Sequence, residues 1–350
     1  MVFDDLTRKA IGEVEALSKS VVSDLDESAG GIGWWSGYGL QAETMAGLSD
    51  YLIDAIRGVG RALGMADFTL HDYAQERESA DSKMRTRMKN NRGDFLARGT
   101  DKPADEASRL HLQSCVYSFL NLGCSVLDTL AGTVIGIAAL KLPLVKADLA
   151  KFTPFSKAPE YPSAQRIRNT LHPHAEAQAF QLGLIRSFRT SVMDAGPEGW
   201  YVWLDHKRNQ LAHRGPRLQI SAFVPVEPGP RVILLEREPD KTTIQGFQGD
   251  KPNVESIYLL EDELTTMKGL LKSLNAATIG TTLAARSAWD QRRENPHLVP
   301  QPHSQWHQPK TSGFKGYEPA PELFKNVTAA IINPIDAARL NTARALDGTA

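Results

Sequence analysis

Between Arg109 and Lys141 the chain carries one formal charge, Asp128, in a run dominated by Leu, Ala, Val, Ile and Ser. Read as one helix from Ala104 to Leu142, this segment is apolar nearly all round, and such a helix must be enclosed by other elements. It therefore belongs at the centre of a helical bundle. Its length would also suit a membrane span, but His111, Gln113, Asn121 and Asp128 interrupt the apolar run, so a buried helix is the better reading and no membrane is expected as a partner.

The remaining composition agrees with a large packed core. With 350 residues and 41% hydrophobic content, the chain is outside the disordered, collagenous and disulfide-scaffold classes. The segment Met1–Leu6 holds two acids where a secretory signal would hold bases, and no apolar stretch follows; a cytoplasmic location is expected. Cys115 and Cys124 form no CxxC pair and read as small reduced core residues. His172, His174 and Glu176 lack a compact third ligand for a metal, so neither metal nor cofactor is expected.

Three regions follow along the chain: a helical N-terminal region over 1–103, a helical bundle over 104–290 with a hairpin near 217–245, and a proline-rich tail over 291–350. Asp4–Val22 predicts a first helix. Glycines from Gly30 to Gly39 interleave with Trp34, Trp35 and Tyr38 in what reads as a hinge rather than a phosphate loop. Met45, Leu48, Leu52, Ile56 and Val59 recur at helical spacing. Further helices are predicted over Ala175–Met193 and Pro197–His213. Leu218–Val226 and Arg231–Glu238, separated by Pro228-Gly229-Pro230, read as a hairpin. Ile257, Leu260, Leu264, Met267, Leu271 and Leu274 form a heptad-like seam that either packs back on the bundle or joins two copies. The tail carries Trp306, Phe314 and Tyr317 as surface aromatics, and a last short helix is predicted over Ile335–Leu346.

A net charge of −1 offers no general attraction to nucleic acid. The balance is uneven, however: residues 1–103 sum to −4, 104–216 to +3 and 217–350 to 0, and five of the nine histidines lie in the middle region. Lys83, Arg85, Arg87, Lys89 and Arg92 form a second basic strip with no acid between Asp81 and Asp94, either a solvated helix end or an RNA-contacting surface.

HExxH, GxSxG, EF-hand and paired CxxC motifs do not occur. What remains is Leu204-Asp205-His206-Lys207-Arg208-Asn209-Gln210-Leu211-Ala212-His213-Arg214 at the end of a predicted helix. His206, Asn209 and His213 share one helical stripe, and Asp205 and Arg208 the adjoining one. The helix macrodipole alone favours Arg214 and part of His213 there; it does not account for Asp205, His206 and Asn209 in the same sector.

The stretch Arg208 to His213 resembles the Arg-x4-6-His motif of the HEPN superfamily, with Asn209 at the position after the arginine. His111 to Ala131, with Ser125-Val-Leu-Asp128-Thr-Leu-Ala131, is similar to the first long helix of one HEPN branch. The resemblance spans about 104–290. It implies a mainly α, HEPN-like bundle with a short β-hairpin insertion and a helical N-terminal extension. It also implies a metal-independent endoribonuclease, of a toxin or phage-defence kind, that leaves 2′,3′-cyclic phosphate and 5′-hydroxyl ends, works as a homodimer and answers to an antitoxin or regulatory protein. His213 would serve as base or acid, Arg208 would clamp the phosphate, and Asn209 would orient either. Asp128, Asp205 and His206 would support them, and Lys83, Arg85, Arg87, Lys89 and Arg214 would contact RNA. A second copy, Arg292 to His297, is set aside because Pro296 denies it a helix. The alternatives are a non-catalytic HEPN-like module that binds RNA or a nucleotide, and a structural dimer built on the Ile257–Leu274 seam.

Overall fold

The computed structural model describes residues 3–24, 42–90, 103–142, 146–155, 165–214, 220–224, 231–237, 258–298, 313–314 and 316–318. The 30–39 joint, Ile257, Trp306 and the 335–346 helix lie outside them. So do the side chains of Met45, Leu48, Arg87, Lys89 and Arg214, and the whole of Arg92.

Among the described residues seven α-helices run in the order α1 (Asp5–Asp24), α2 (Ala42–Asn90), α3 (Pro103–Ile137), α4 (Gln165–Arg168), α5 (Ala175–Met193), α6 (Trp200–Arg214) and α7 (Glu263–Glu294). The fold is mainly α, as expected. In α2, Leu52, Ile53, Ile56, Val59 and Leu63 continue one apolar stripe, and all are buried. That stripe lies along α3, while α1 packs on both α2 and α7. The N-terminal helices thus share one continuous core with the middle of the chain.

From Phe119 to Ala138, α3 is buried on almost every side and packs against α2, α5, α6 and α7. It is long and apolar enough to cross a membrane, but 72% of its most apolar window is buried inside the bundle. Its N-terminal third is amphipathic: Leu110 and Tyr117 face out while Cys115 and Val116 are buried, Cys115 against Asp72 of α2. A helix that ends inside a core must find partners for its last carbonyls. Ala139, at φ 47°, turns the chain so that Leu140 N–H reaches the Ile135 carbonyl at 3.1 Å and Ala139 N–H that of Gly136 at 3.2 Å. This is a Schellman cap closed by Ala instead of Gly. Gln181 Nε2 donates to the Ala138 carbonyl at 3.0 Å, and Arg292 Nη1 donates to those of Gly136 and Ile137 at 3.0 and 3.1 Å.

The expected hairpin is formed by β1 (Ile220–Val224) and β2 (Arg231–Arg237), and β3 (Tyr258–Asp262) extends it to a three-stranded antiparallel sheet in that spatial order. The heptad seam needs correction. Leu260, assigned above to the heptad seam, lies in β3 and is 71% exposed. Asp262, with extended dihedrals, is the N-cap from which α7 starts. Of the rest, Met267, Leu271 and Leu274 are buried within this one chain and Leu264 is half-buried against the core, so the described part of the seam packs back on the bundle. The Arg292–His297 copy is split as expected: Arg292 lies in the last turn of α7, and His297 sits in a 3₁₀ turn (Pro296–Leu298).

Candidate functional site

α6 is fixed against α3 by two local features of the sequence. The Trp200 indole N–H donates to the Val192 carbonyl at 2.8 Å, tying the start of α6 to the end of α5. At Gly123 of α3, a Cβ would meet Leu274 Cδ1 at 3.2 Å and Leu204 Cδ2 at 3.3 Å, so the glycine lets α6 and α7 approach the central helix closely. The buried face of α6 then runs through Trp200, Leu204, Lys207 and Gln210.

Beside that face stands Arg208. Its Nη2 donates to Asp205 Oδ1 at 2.7 Å, and Asn209 Nδ2 donates to Asp205 Oδ2 at 3.1 Å, so the one carboxylate orients both side chains. Burial works against the Arg208 charge, but the Asp205 hydrogen bond and the neighbouring Cys124, Asp205 and Asp128 outweigh it and hold the guanidinium more firmly protonated. Arg208 Nε is buried and makes no hydrogen bond among the described residues. Below it, burial pushes the Cys124 thiol up to about 12.

Asp128 faces this group from α3 and is close enough to Arg208 and Asp205 to feel their charges. Its Oδ1 accepts a hydrogen bond from Leu149 N–H at 2.9 Å. Burial raises its pKa, partly offset by that hydrogen bond; Asp148 raises it further, Arg208 lowers it and Asp205 raises it. The lone charge between Arg109 and Lys141 thus does two jobs: it accepts the first N–H of the 3₁₀ turn Leu149–Lys151, whose N-cap is Asp148, and it borders the Arg208 site.

His213 stands apart from this group. It lies five positions beyond Arg208, which on a helix is about 140° of rotation. It is exposed, and among the described residues it makes no hydrogen bond or ion pair. His206 is half-buried on the same helix. The site residues named from the sequence therefore divide. Asp205, Arg208 and Asn209 converge with Asp128 behind them, whereas His213, one turn beyond Asn209, leaves α6 in a direction well away from Arg208. Of the basic strip, Lys83 is exposed on α2, and Arg85 is ion-paired with Glu78 at 2.6 Å.

A second cluster escaped the sequence. Asp72 of α2 meets His111 and Cys115, one turn apart on α3: His111 Nε2 lies 3.1 Å from Asp72 Oδ2, and Cys115 Sγ lies 3.7 Å from both. The His-x3-Cys spacing on one helical face was there to be read. The third member, 39 residues upstream of His111 on another helix, could only come from the fold.

The chain matches no family model, no curated protein and no solved structure.

Proposed function

We propose that this protein is a metal-independent endoribonuclease of HEPN type, acting through Arg208, Asn209 and His213. The observation that carries the reading is the Asp205–Arg208–Asn209 group: a half-buried guanidinium, aimed by a carboxylate and flanked by an amide, on a helix whose last turn bears an exposed imidazole. Cleaving RNA without a metal needs a proton acceptor for the 2′-hydroxyl, a proton donor for the 5′-oxygen and positive charge at the non-bridging oxygens. Arg208 supplies the charge in planar, two-pronged form, and His213 supplies the proton transfer. Because the two side chains leave α6 in different directions, one helix does not close a site around one phosphate. A second copy, placing its α6 against the first, would bring His213 of one to Arg208 of the other and provide two imidazoles for the two proton transfers. A toxin or phage-defence role and control by an antitoxin belong to the same proposal.

The test is cleavage of total and synthetic RNA by the purified chain in chelator, with the new ends analysed. Arg208→Ala and His213→Ala are expected to reduce cleavage by about a hundredfold or more each, and the products to carry cyclic phosphate and 5′-hydroxyl ends. Cleavage that survives both substitutions, or a monomeric mass by light scattering under cleaving conditions, overturns the reading. The second reading, a non-catalytic module that holds RNA or a nucleotide, is favoured by the Arg208–Asp205 ion pair at 2.7 Å, which already occupies part of the guanidinium. It predicts binding that depends on Arg208, no new RNA ends, and indifference to His213→Ala.

A further inference from the structure

The Asp72–His111–Cys115 cluster lies on α2 and the N-terminal third of α3, about 13 Å along α3 from Cys124 at the helical rise per residue, and the proposed function makes no use of it. His111 and Cys115 are separated by one turn, so both point from one face of α3 toward α2, where Asp72 meets them. All three donor atoms lie within 4.8 Å of one another. A catalytic triad does not fit: in a triad the imidazole bridges nucleophile and carboxylate through its two different nitrogens, whereas here Nε2 alone faces both Asp72 Oδ2 at 3.1 Å and Cys115 Sγ at 3.7 Å. The three atoms instead form a triangle around one point.

The edges of that triangle are informative. Tetrahedral zinc with bonds near 2.0 Å to nitrogen and oxygen and near 2.3 Å to sulfur separates N from O by about 3.3 Å and sulfur from either by about 3.5 Å. The separations found are 3.1 Å for Nε2 to Oδ2 and 3.7 Å for Sγ to each. The donors therefore stand within a few tenths of an ångström of where a tetrahedral ion would hold them, with both helices in place.

We propose that Asp72 Oδ2, His111 Nε2 and Cys115 Sγ bind one divalent ion of the zinc class, with the fourth position open to water, clamping α2 to α3. A donor set of one thiolate, one imidazole and one carboxylate selects zinc, or cobalt as its spectroscopic substitute, over magnesium and calcium, which prefer oxygen alone. Charge balances: a dication, one thiolate and one carboxylate sum to zero, so the half-buried site holds no net charge. The fourth position faces solvent, since the His111 and Asp72 side chains are 47% and 39% exposed. Glu76, one turn beyond Asp72, accepts a hydrogen bond from Ser108 Oγ and is held away from the ion by it.

Binding exchanges one proton. In the metal-free chain, burial and then the Asp72 and Glu76 charges push the Cys115 thiol up to about 11. Coordination therefore expels the thiol proton to solvent, while the neutral imidazole keeps its single proton on Nδ1.

The test is titration of the full chain, stripped of metal with chelator and kept reduced, with cobalt(II) and then zinc. One equivalent of cobalt is expected to produce a thiolate-to-cobalt charge-transfer absorption together with the intense visible bands of a tetrahedral site. Zinc should abolish both and raise the melting temperature. Cys115→Ser should lose the charge-transfer band. His111→Ala, at an exposed position that leaves the core intact, should keep the wild-type circular dichroism, weaken cobalt binding at least tenfold and lose the zinc-dependent rise in melting temperature. A chain that shows no charge-transfer band with cobalt, or a band that persists in Cys115→Ser or at wild-type affinity in His111→Ala, overturns the proposal. RNA cleavage plays no part in the readout, so this result and that of the ribonuclease test stand separately.

Discussion

Tyr73, about two thirds of the way along α2, donates its phenolic hydrogen to Oε2 of Glu263, the first residue of α7, across 190 positions of sequence. Both residues are buried, at 1% and 4% exposure. Burial, reinforced by the Glu263 charge and the hydrogen bond to it, pushes the phenol far above its ordinary range, so the hydroxyl is a permanent donor. Tyr73→Phe keeps the ring and deletes that donor to a buried carboxylate. The expected loss is about 1–3 kcal/mol, read as a lower urea midpoint with an unchanged slope. A variant as stable as the parent would show that Glu263 is satisfied without the tyrosine.

The closure of α3 offers a gain instead of a loss. Ala139 holds φ at 47°, the left-handed region that an L side chain enters with strain. Its two cap hydrogen bonds come from backbone N–H groups and need no side chain. Ala139→Gly should therefore stabilise the protein by about 0.5–1 kcal/mol, seen as a rise in melting temperature of a few degrees at most. A destabilised Gly variant would show that the Ala139 methyl, half-buried beside the core, contributes more by packing than the strain removes.

Arg292 closes the same helix end from outside. It is fully buried, its Nη1 serves the Gly136 and Ile137 carbonyls, and its guanidinium carbon lies 4.8 Å from the centre of the Trp289 ring. Arg292→Met preserves most of the volume, strands the buried Ile137 carbonyl and leaves that of Gly136 with Ala139 N–H alone. The expected cost is about 2–4 kcal/mol, measured by chemical denaturation. Arg292→Lys should recover only part of it, since an ammonium lacks the planar fork that spans two acceptors.

These contacts show where sequence reading succeeds and where it stops. The central position of α3 followed from one property of the stretch beyond Arg109, apolarity nearly all round with Asp128 as its single charge, and any helix of that kind needs a full shell. The bounds of α5 and the start of α1 were equally legible, because the period of their apolar residues is local information. β3 was not. Leu260 and Leu264 are spaced as a helix would space them, and the true boundary signal, Asp262 followed by Glu263 as an N-cap with an acid in the first turn, was outweighed by that periodicity. The heptad seam was legible as a buried stripe, but the period cannot say whether the partner belongs to the same chain. Within the candidate site, Asp205, Arg208 and Asn209 are close in sequence and their meeting was readable from helical geometry. Asp72 with Cys115, Tyr73 with Glu263 and Arg292 with Gly136 join distant segments, and no local pattern announces them.

Asp128 provides the last prediction, on pH. A carboxyl whose folded pKa is raised binds its proton more tightly in the folded chain than in the unfolded one. Its ionisation therefore opposes folding. The penalty is absent below the ordinary carboxylate range, grows as pH rises through the interval between the unfolded and the raised folded value, and is complete above it. For Asp128 the cause is first burial, then, after the opposing Leu149 hydrogen bond, the Asp148 charge. Asp128→Asn removes the titration while its amide oxygen can still accept from Leu149 N–H. The variant is expected to be as stable as the parent or more so at neutral pH, and to lose that relative advantage as pH falls into the ordinary carboxylate range. Urea midpoints of both proteins over that interval test it. A variant less stable by the same amount at every pH would show that the carboxylate charge itself, on the Leu149 N–H and beside Arg208, outweighs the cost of burying it.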